Sequence, residues 1–246
     1  MPSQSVVKPN TSASFPQDLS PRRFRVAPLL LALLVATPAL AEAPALLQAS
    51  SEQSNTARIV TRQLSVLHYS RIVLNDTLSE QIWNRYLADM DNQRVYFLAA
   101  DIQSFEPWRL KLDDQLKGGQ MVPAFAMYNR FQQRQRERLE FANAELENNS
   151  KALLDFTGKD TVENDRKNAP WARSKAELDQ LWRLRLKAAA LALKLSGKSS
   201  EEALTTLRRR YKSQLTMLGQ TSAEDAFQTF MNAFTESYDP HTQYMS

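Results

Sequence analysis

Residues 174–234 read "SKAELDQLWRLRLKAAALALKLSGKSSEEALTTLRRRYKSQLTMLGQTSAEDAFQTFMNAF", and the punctuation of this stretch decides the fold. Ser174 with Glu177, Ser199 with Glu202 and Thr221 with Glu224 each place a cap hydroxyl three residues before an acid, the capping-box start of a helix. Gly197 and Gly219 close the first two helices. Between these signals the apolar residues fall at helical spacing: Leu178, Leu181, Trp182 and Leu193, then Leu204, Leu207, Tyr211, Leu215 and Leu218, then Phe227, Phe230, Met231 and Phe234.

The same period continues towards the N-terminus. Ile59, Val60, Leu64, Leu67, Ile72 and Val73 lie on one stripe, and Thr77 with Glu80 opens a helix carrying Leu78, Ile82, Tyr86, Leu87 and Met90. Asp101 is placed to cap a helix through Ile102, Phe105, Trp108 and Leu112 that stops at Gly118, although Pro107 interrupts it. Pro123 opens a long helix whose apolar positions are separated by "QQRQRER" (132–138), read as a solvated stretch crossing a polar surface. Residues 155–171, "DFTGKDTVENDRKNAPW", have no apolar period and form an unusually long irregular connection. "RVYFL" at 94–98 is too short and isolated to build a sheet. The expectation is an all-α, irregular multi-helix domain over residues 56–238, entered through a flexible segment at 42–55.

Composition agrees. Hydrophobic residues make up 43% and charged residues 24% of the 246, a globular balance. Only 5 glycines occur, the first at Gly118, too few for the turns and phosphate loops of an α/β enzyme. The formal charge of +4 gives no argument for nucleic acid, because Lys8, Arg22, Arg23 and Arg25 against Asp18 put +3 of it in residues 1–41. That leader reads as an export signal. Basic residues at 22–25 precede the apolar run "VAPLLLALLV" (26–35), and Ala39 and Ala41 supply the small-residue pattern for cleavage before Glu42. The run is short of the ~20 residues of a stable membrane span. With no cysteine, disulfides, thiolate metal sites and lipoprotein attachment are excluded.

Catalytic sets are sparse. His68 and His241 are the only histidines, and no H-E-x-x-H, G-x-S-x-G, P-loop or G-x-G-x-x-G pattern exists. Glu236, Asp239 and His241 form a nominal metal set, but Pro240 constrains the backbone between the last two. The plainer reading of "DPHT" is a cap: Asp239 accepts from the turn, Pro240 occupies its first position and Thr242 sits near the partner amides. Arg208, Arg209 and Arg210 read as a solvated helix face, and His68 as a satisfied interior histidine. No catalytic, cofactor or metal residue is assigned.

Taken together, "MDNQRVYFLAADIQSF", the 155–171 segment, "AELDQLW", "LKLSGK", "LRRRYK" and the final "SYDPHTQYMS" closely resemble the N-terminal region of the periplasmic tail-specific proteases, the carboxyl-terminal processing peptidases of Gram-negative bacteria. The likeness covers nearly all of residues 56–246. It implies that Asp239, Pro240, His241, Thr242 and Tyr244 form the junction motif D-P-H-[ST]-x-Y, at the end of the helical region and immediately before a PDZ domain. In that family the PDZ domain recognises nonpolar C-terminal tails, and a protease core beyond it uses a serine nucleophile with a lysine base. None of those catalytic residues has a counterpart in this sequence, which reads as a fragment stopping before the PDZ and protease domains. The resemblance further implies a periplasmic location, peripheral association with the inner membrane being left open, and an envelope lipoprotein adaptor as a partner. The other expectation is a stand-alone helical binding or adaptor module of the cell envelope.

Overall fold

The structure is a computed structural model and describes residues 46–245. The proposed signal segment at 1–41, with Ala39 and Ala41, lies outside the described residues. Within them the chain is all-α: α1 (Ser51–Leu67), α2 (Asp76–Asp91), α3 (Ala99–Phe105), a 3-10 turn (Glu106–Trp108), α4 (Leu112–Gly118), α5 (Val122–Asn148), α6 (Ser150–Leu153), α7 (Lys175–Leu195), α8 (Ser200–Leu218) and α9 (Ala223–Thr235). Residues 94–98 contribute only the isolated bridge of Leu98 to Ala172.

The 27 residues of α5, roughly 40 Å long at 1.5 Å per residue, join two hydrophobic clusters. Its first half supplies Ala124, Phe125, Met127 and Phe131 to a core shared with α2, α4 and α9, where Ile82, Tyr86, Leu116, Phe227, Phe230 and Phe234 are buried. Its second half supplies Ala142 and Leu146 to a smaller cluster with Leu178, Trp182 and Leu186 of α7 and Leu204 and Leu207 of α8. Two large buried side chains reach backbone carbonyls distant in sequence. Tyr86 Oη donates to Ala124 O at 3.0 Å and Trp182 Nε1 to Val95 O at 2.7 Å, as buried hydroxyl and indole groups require.

Several boundaries differ from the sequence reading, each for a visible reason. Residues 51–55 are helical rather than flexible, because Ser50 and Gln53 form a reciprocal capping box. Asn129 also holds the segment before α1 by accepting from Leu47 N and donating to Leu47 O, both at 2.9 Å. The cap of α2 is Asn75, not Thr77, with Asn75 Oδ1 accepting from Leu78 N. That of α9 is Ser222 with Asp225, one residue past the Thr221–Glu224 pair. Asp101 serves α3 from its third position, accepting from Leu98 N at 2.9 Å.

Pro107 divides the helix expected over 102–118 into α3, a 3-10 turn and α4. The buried hydroxyl of Ser79 bridges the gap, donating to Arg109 O and accepting from Leu112 N. Gly119 ends α4 at φ +68°, and a Cβ there would lie 2.5 Å from Ser54 O. Only glycine suits that left-handed close approach.

The arginine-rich centre of α5 is partly enclosed rather than fully solvated, with Arg138 buried. Arg138 is 1% exposed and ion-paired with Asp179, while Arg134 reaches Asp101 with two bonds, Nε to Oδ2 at 2.8 Å and Nη2 to Oδ1 at 3.0 Å. The helix is packed against α7, α8 and α9, so its guanidinium groups must find carboxylates. The 155–171 connection is fastened to the body at its far end. Arg166 N donates to Gln93 Oε1 at 2.9 Å, Arg94 Nη1 to Ala169 O at 2.5 Å, and the Arg94 guanidinium lies 5.1 Å above the Trp171 ring.

Candidate functional site

The terminal motif is built against the end of α1. After α9 the chain turns at Asp239, with Thr242 N donating to Asp239 O at 2.9 Å and His241 N donating to Asp239 Oδ1 at 2.6 Å. Asp at the first position of a turn followed by proline is the residue order a type I turn prefers, because Pro fixes φ and the carboxylate accepts two residues on. The second carboxylate oxygen accepts from Tyr69 Oη. That phenol, followed by the His241 amide, holds the Asp239 carboxyl below its usual range, and the same bond raises Tyr69.

His68, the C-cap of α1, is half-buried beside this turn. Its Nδ1 lies 2.6 Å from Ser70 Oγ, its Nε2 lies 3.4 Å from Thr242 Oγ1, and its ring meets Tyr238 edge-on at 5.6 Å. Tyr238 is buried, and its Oη is 3.5 Å from Ser65 Oγ. Tyr244 N donates to Asn232 Oδ1 at 2.8 Å, and the Tyr244 ring packs edge-on against Phe227 at 5.4 Å. Burial raises its phenol, followed by the nearby charges of Glu224 and Glu52. The segment therefore begins beside the C-terminal end of α1 and finishes near its start.

This arrangement is suited to fastening and not to nucleophilic catalysis. The hydroxyl beside His68 belongs to Ser70, two residues on, whose own amide donates to the same nitrogen at 3.3 Å; the other nitrogen meets a hydroxyl where a triad places a carboxylate. The nominal metal set does not converge, since Glu236 pairs with Arg85 at 2.7 Å while Asp239 is taken by Tyr69 and the His241 amide. Among the described residues no group of three or more metal-ligating side chains occurs, and no helix is long and apolar enough to cross a membrane.

A family model described as the tail specific protease N-terminal domain matches residues 60–246, from the second half of α1 through the terminal turn. The chain belongs to this family. It is also 35% identical over 226 residues, 89% of its length, to a tail-specific protease of Haemophilus influenzae. The chain spans about a third of that relative, 32% of its length. Within this tail-specific protease N-terminal domain, the terminal motif places Asp239 on Tyr69 and Thr242 on His68, just after α1, and Tyr244 on α9, while Pro240 and His241 are exposed. Sequence reasoning found the turn but missed Tyr69, Asn232 and Tyr238. Contacts between residues about 170 positions apart leave no local pattern to read.

Proposed function

We propose that the chain is the non-catalytic helical N-terminal portion of a serine endopeptidase that works in the periplasm on proteins with nonpolar C-terminal tails, in protein processing and quality control. The observation that carries this reading is the family match through the terminal turn. The export-type pattern at residues 22–41, ending in Ala39 and Ala41, supports a periplasmic location. On this reading tail recognition belongs to a PDZ domain beyond residue 246 and peptide-bond hydrolysis to a serine and lysine further on. The helical body frames substrate entry, and an envelope lipoprotein adaptor is a candidate partner for its surface.

Two measurements test it. Incubated with a peptide ending in apolar residues, the full chain is expected to leave the peptide intact; cleavage sensitive to a serine-directed reagent contradicts the assignment. Expressed in a Gram-negative cell, the chain is expected in the periplasmic fraction with Glu42 as its first residue, and retention in the cytoplasm with an intact leader contradicts the location.

A further inference from the structure

Three cations, Arg94, Arg109 and Lys167, and two indoles, Trp83 and Trp171, line a cavity of about 360 Å³ where the end of α2 meets the 155–171 connection. That is the size of a small-molecule site. The one carboxylate among its lining residues is Asp91, and its two oxygens already accept from the amides of Val95, Tyr96 and Phe97. Arg109 gives its terminal nitrogens to Glu106 and Glu80, while its Nε is buried without a partner. Among the described residues neither Arg94 nor Lys167 is in an ion pair with a carboxylate. Two cations without a carboxylate and an orphaned buried donor in one cavity call for a negatively charged acceptor.

The backbone around the cavity is held in an unfavourable form. Arg94 has φ +51°, a left-handed conformation that a β-carbon disfavours, and strain of this kind collects at binding sites. From that bend its guanidinium bonds Ala169 O and lies 5.1 Å above the Trp171 ring, which fastens the long connection along the cavity. The remaining walls are apolar, with Trp83 and Leu87 buried and Ile102 half-buried. An inorganic anion would leave these walls unfilled, whereas an organic acid sets its carboxylate on the cations and its apolar group against the indoles. We propose that this cavity binds a small carboxylate carrying an apolar group, with Lys167, Arg94 and Arg109 Nε holding the carboxylate and Trp83 and Trp171 the apolar group. The 155–171 segment, too long for a simple connection, then has a function as one wall of the site.

The test titrates the full chain with N-acetyl-phenylalanine and follows binding by calorimetry. Saturable binding is expected, and N-acetyl-phenylalanine amide, which lacks the charge, should bind about ten-fold more weakly or worse. Lys167→Glu should weaken binding of the acid about ten-fold or more by placing a like charge at the site. Ala88→Phe, at an exposed position of α2 that also lines the cavity, should weaken it similarly by competing for the space. Lys159→Glu, exposed in the same connection but outside the cavity lining, should leave it within about two-fold. All three substitutions are at exposed positions, and circular dichroism verifies that each variant folds. The C-terminal residue of a polypeptide presents the same chemistry as a free acid, so Ala-Ala-Phe is the second probe: tighter binding than N-acetyl-phenylalanine assigns the cavity to polypeptide ends, weaker binding to free acids, and either result upholds the site. Absence of wild-type binding, equal binding of acid and amide, or binding that survives both Lys167→Glu and Ala88→Phe overturns the proposal. Displacement of the acid by an equal concentration of inorganic phosphate overturns it as well, since the apolar walls would then contribute nothing.

Discussion

Asp91 shows how one residue type fixes a stretch with no regular structure of its own. It is 2% exposed, and its two oxygens accept from the amides of Val95, Tyr96 and Phe97 at 2.8–2.9 Å. Those amides start the segment that carries Phe97 into the core, and without the carboxylate they have no partner in view. Asp91→Ala is therefore expected to destabilise the chain by about 3 kcal/mol, the scale of stranding buried donors, measured by urea unfolding. Asp239 is the partly exposed counterpart. Its carboxyl is held low by the Tyr69 hydroxyl and then by the His241 amide, so its folded value lies below its unfolded one. Such a group adds stability that is present above the ordinary carboxylate pKa of about 4 and is lost as pH falls through the folded value. The stability difference between wild type and Tyr69→Phe should accordingly be constant at neutral pH and shrink below about pH 4. A difference that grows in acid contradicts the assignment of Tyr69 to that carboxylate.

At the scale of elements, α5 tests whether its arginines are structural. Arg138 is enclosed between α5 and α7 with Asp179, which also receives Lys175 Nζ at 2.7 Å. Burial raises the Asp179 carboxyl, but the bonds from Lys175 and Arg138 outweigh it and leave the group below its usual range. Removing one member leaves the other without compensation, so Arg138→Ala should cost about 3 kcal/mol or more, and Arg138→Leu combined with Asp179→Leu clearly less than the single change. Chemical denaturation of the three variants reads this directly. The arginine run also shows where sequence legibility ended. Helix starts at Ser174 and Ser199 and the opening of α5 around Pro123 were readable, because caps and proline act within four residues. The pairing of Arg134 and the burial of Arg138 were not, since they depend on Asp101 and Asp179, 33 and 41 positions away. Capping was ambiguous where two candidates adjoin: Thr221–Glu224 and Ser222–Asp225 offer nearly the same signature, and the second is the one formed. The terminal turn was legible from Asp239 and Pro240, while its anchors on α1 were not.

For the whole molecule, the consequential feature is that α5 contributes to both hydrophobic clusters. A continuous helix couples the two, since losing either cluster exposes half of its apolar stripe. Leu116→Ala in the larger cluster and Leu186→Ala in the smaller one are each expected to cost about 2–5 kcal/mol, the usual range for fully buried leucine. Both should lower a single calorimetric transition rather than split it. Two resolved transitions would show the clusters to be independent. The central claim concerns the C-terminal turn: that Asp239–Tyr244 is a packed segment of a tail-specific protease N-terminal domain, fastened to His68 and Tyr69 after α1 and to Asn232 of α9. Native-state hydrogen exchange tests it most directly, because two amides report the fastening: Thr242 N–H, bonded to Asp239 O, and Tyr244 N–H, bonded to Asn232 Oδ1. The account predicts that both exchange much more slowly than free peptide, by about ten-fold or more, and that Asn232→Ala abolishes protection at Tyr244 while sparing the centre of α9. Exchange of both amides at the free-peptide rate in the wild-type chain would contradict it.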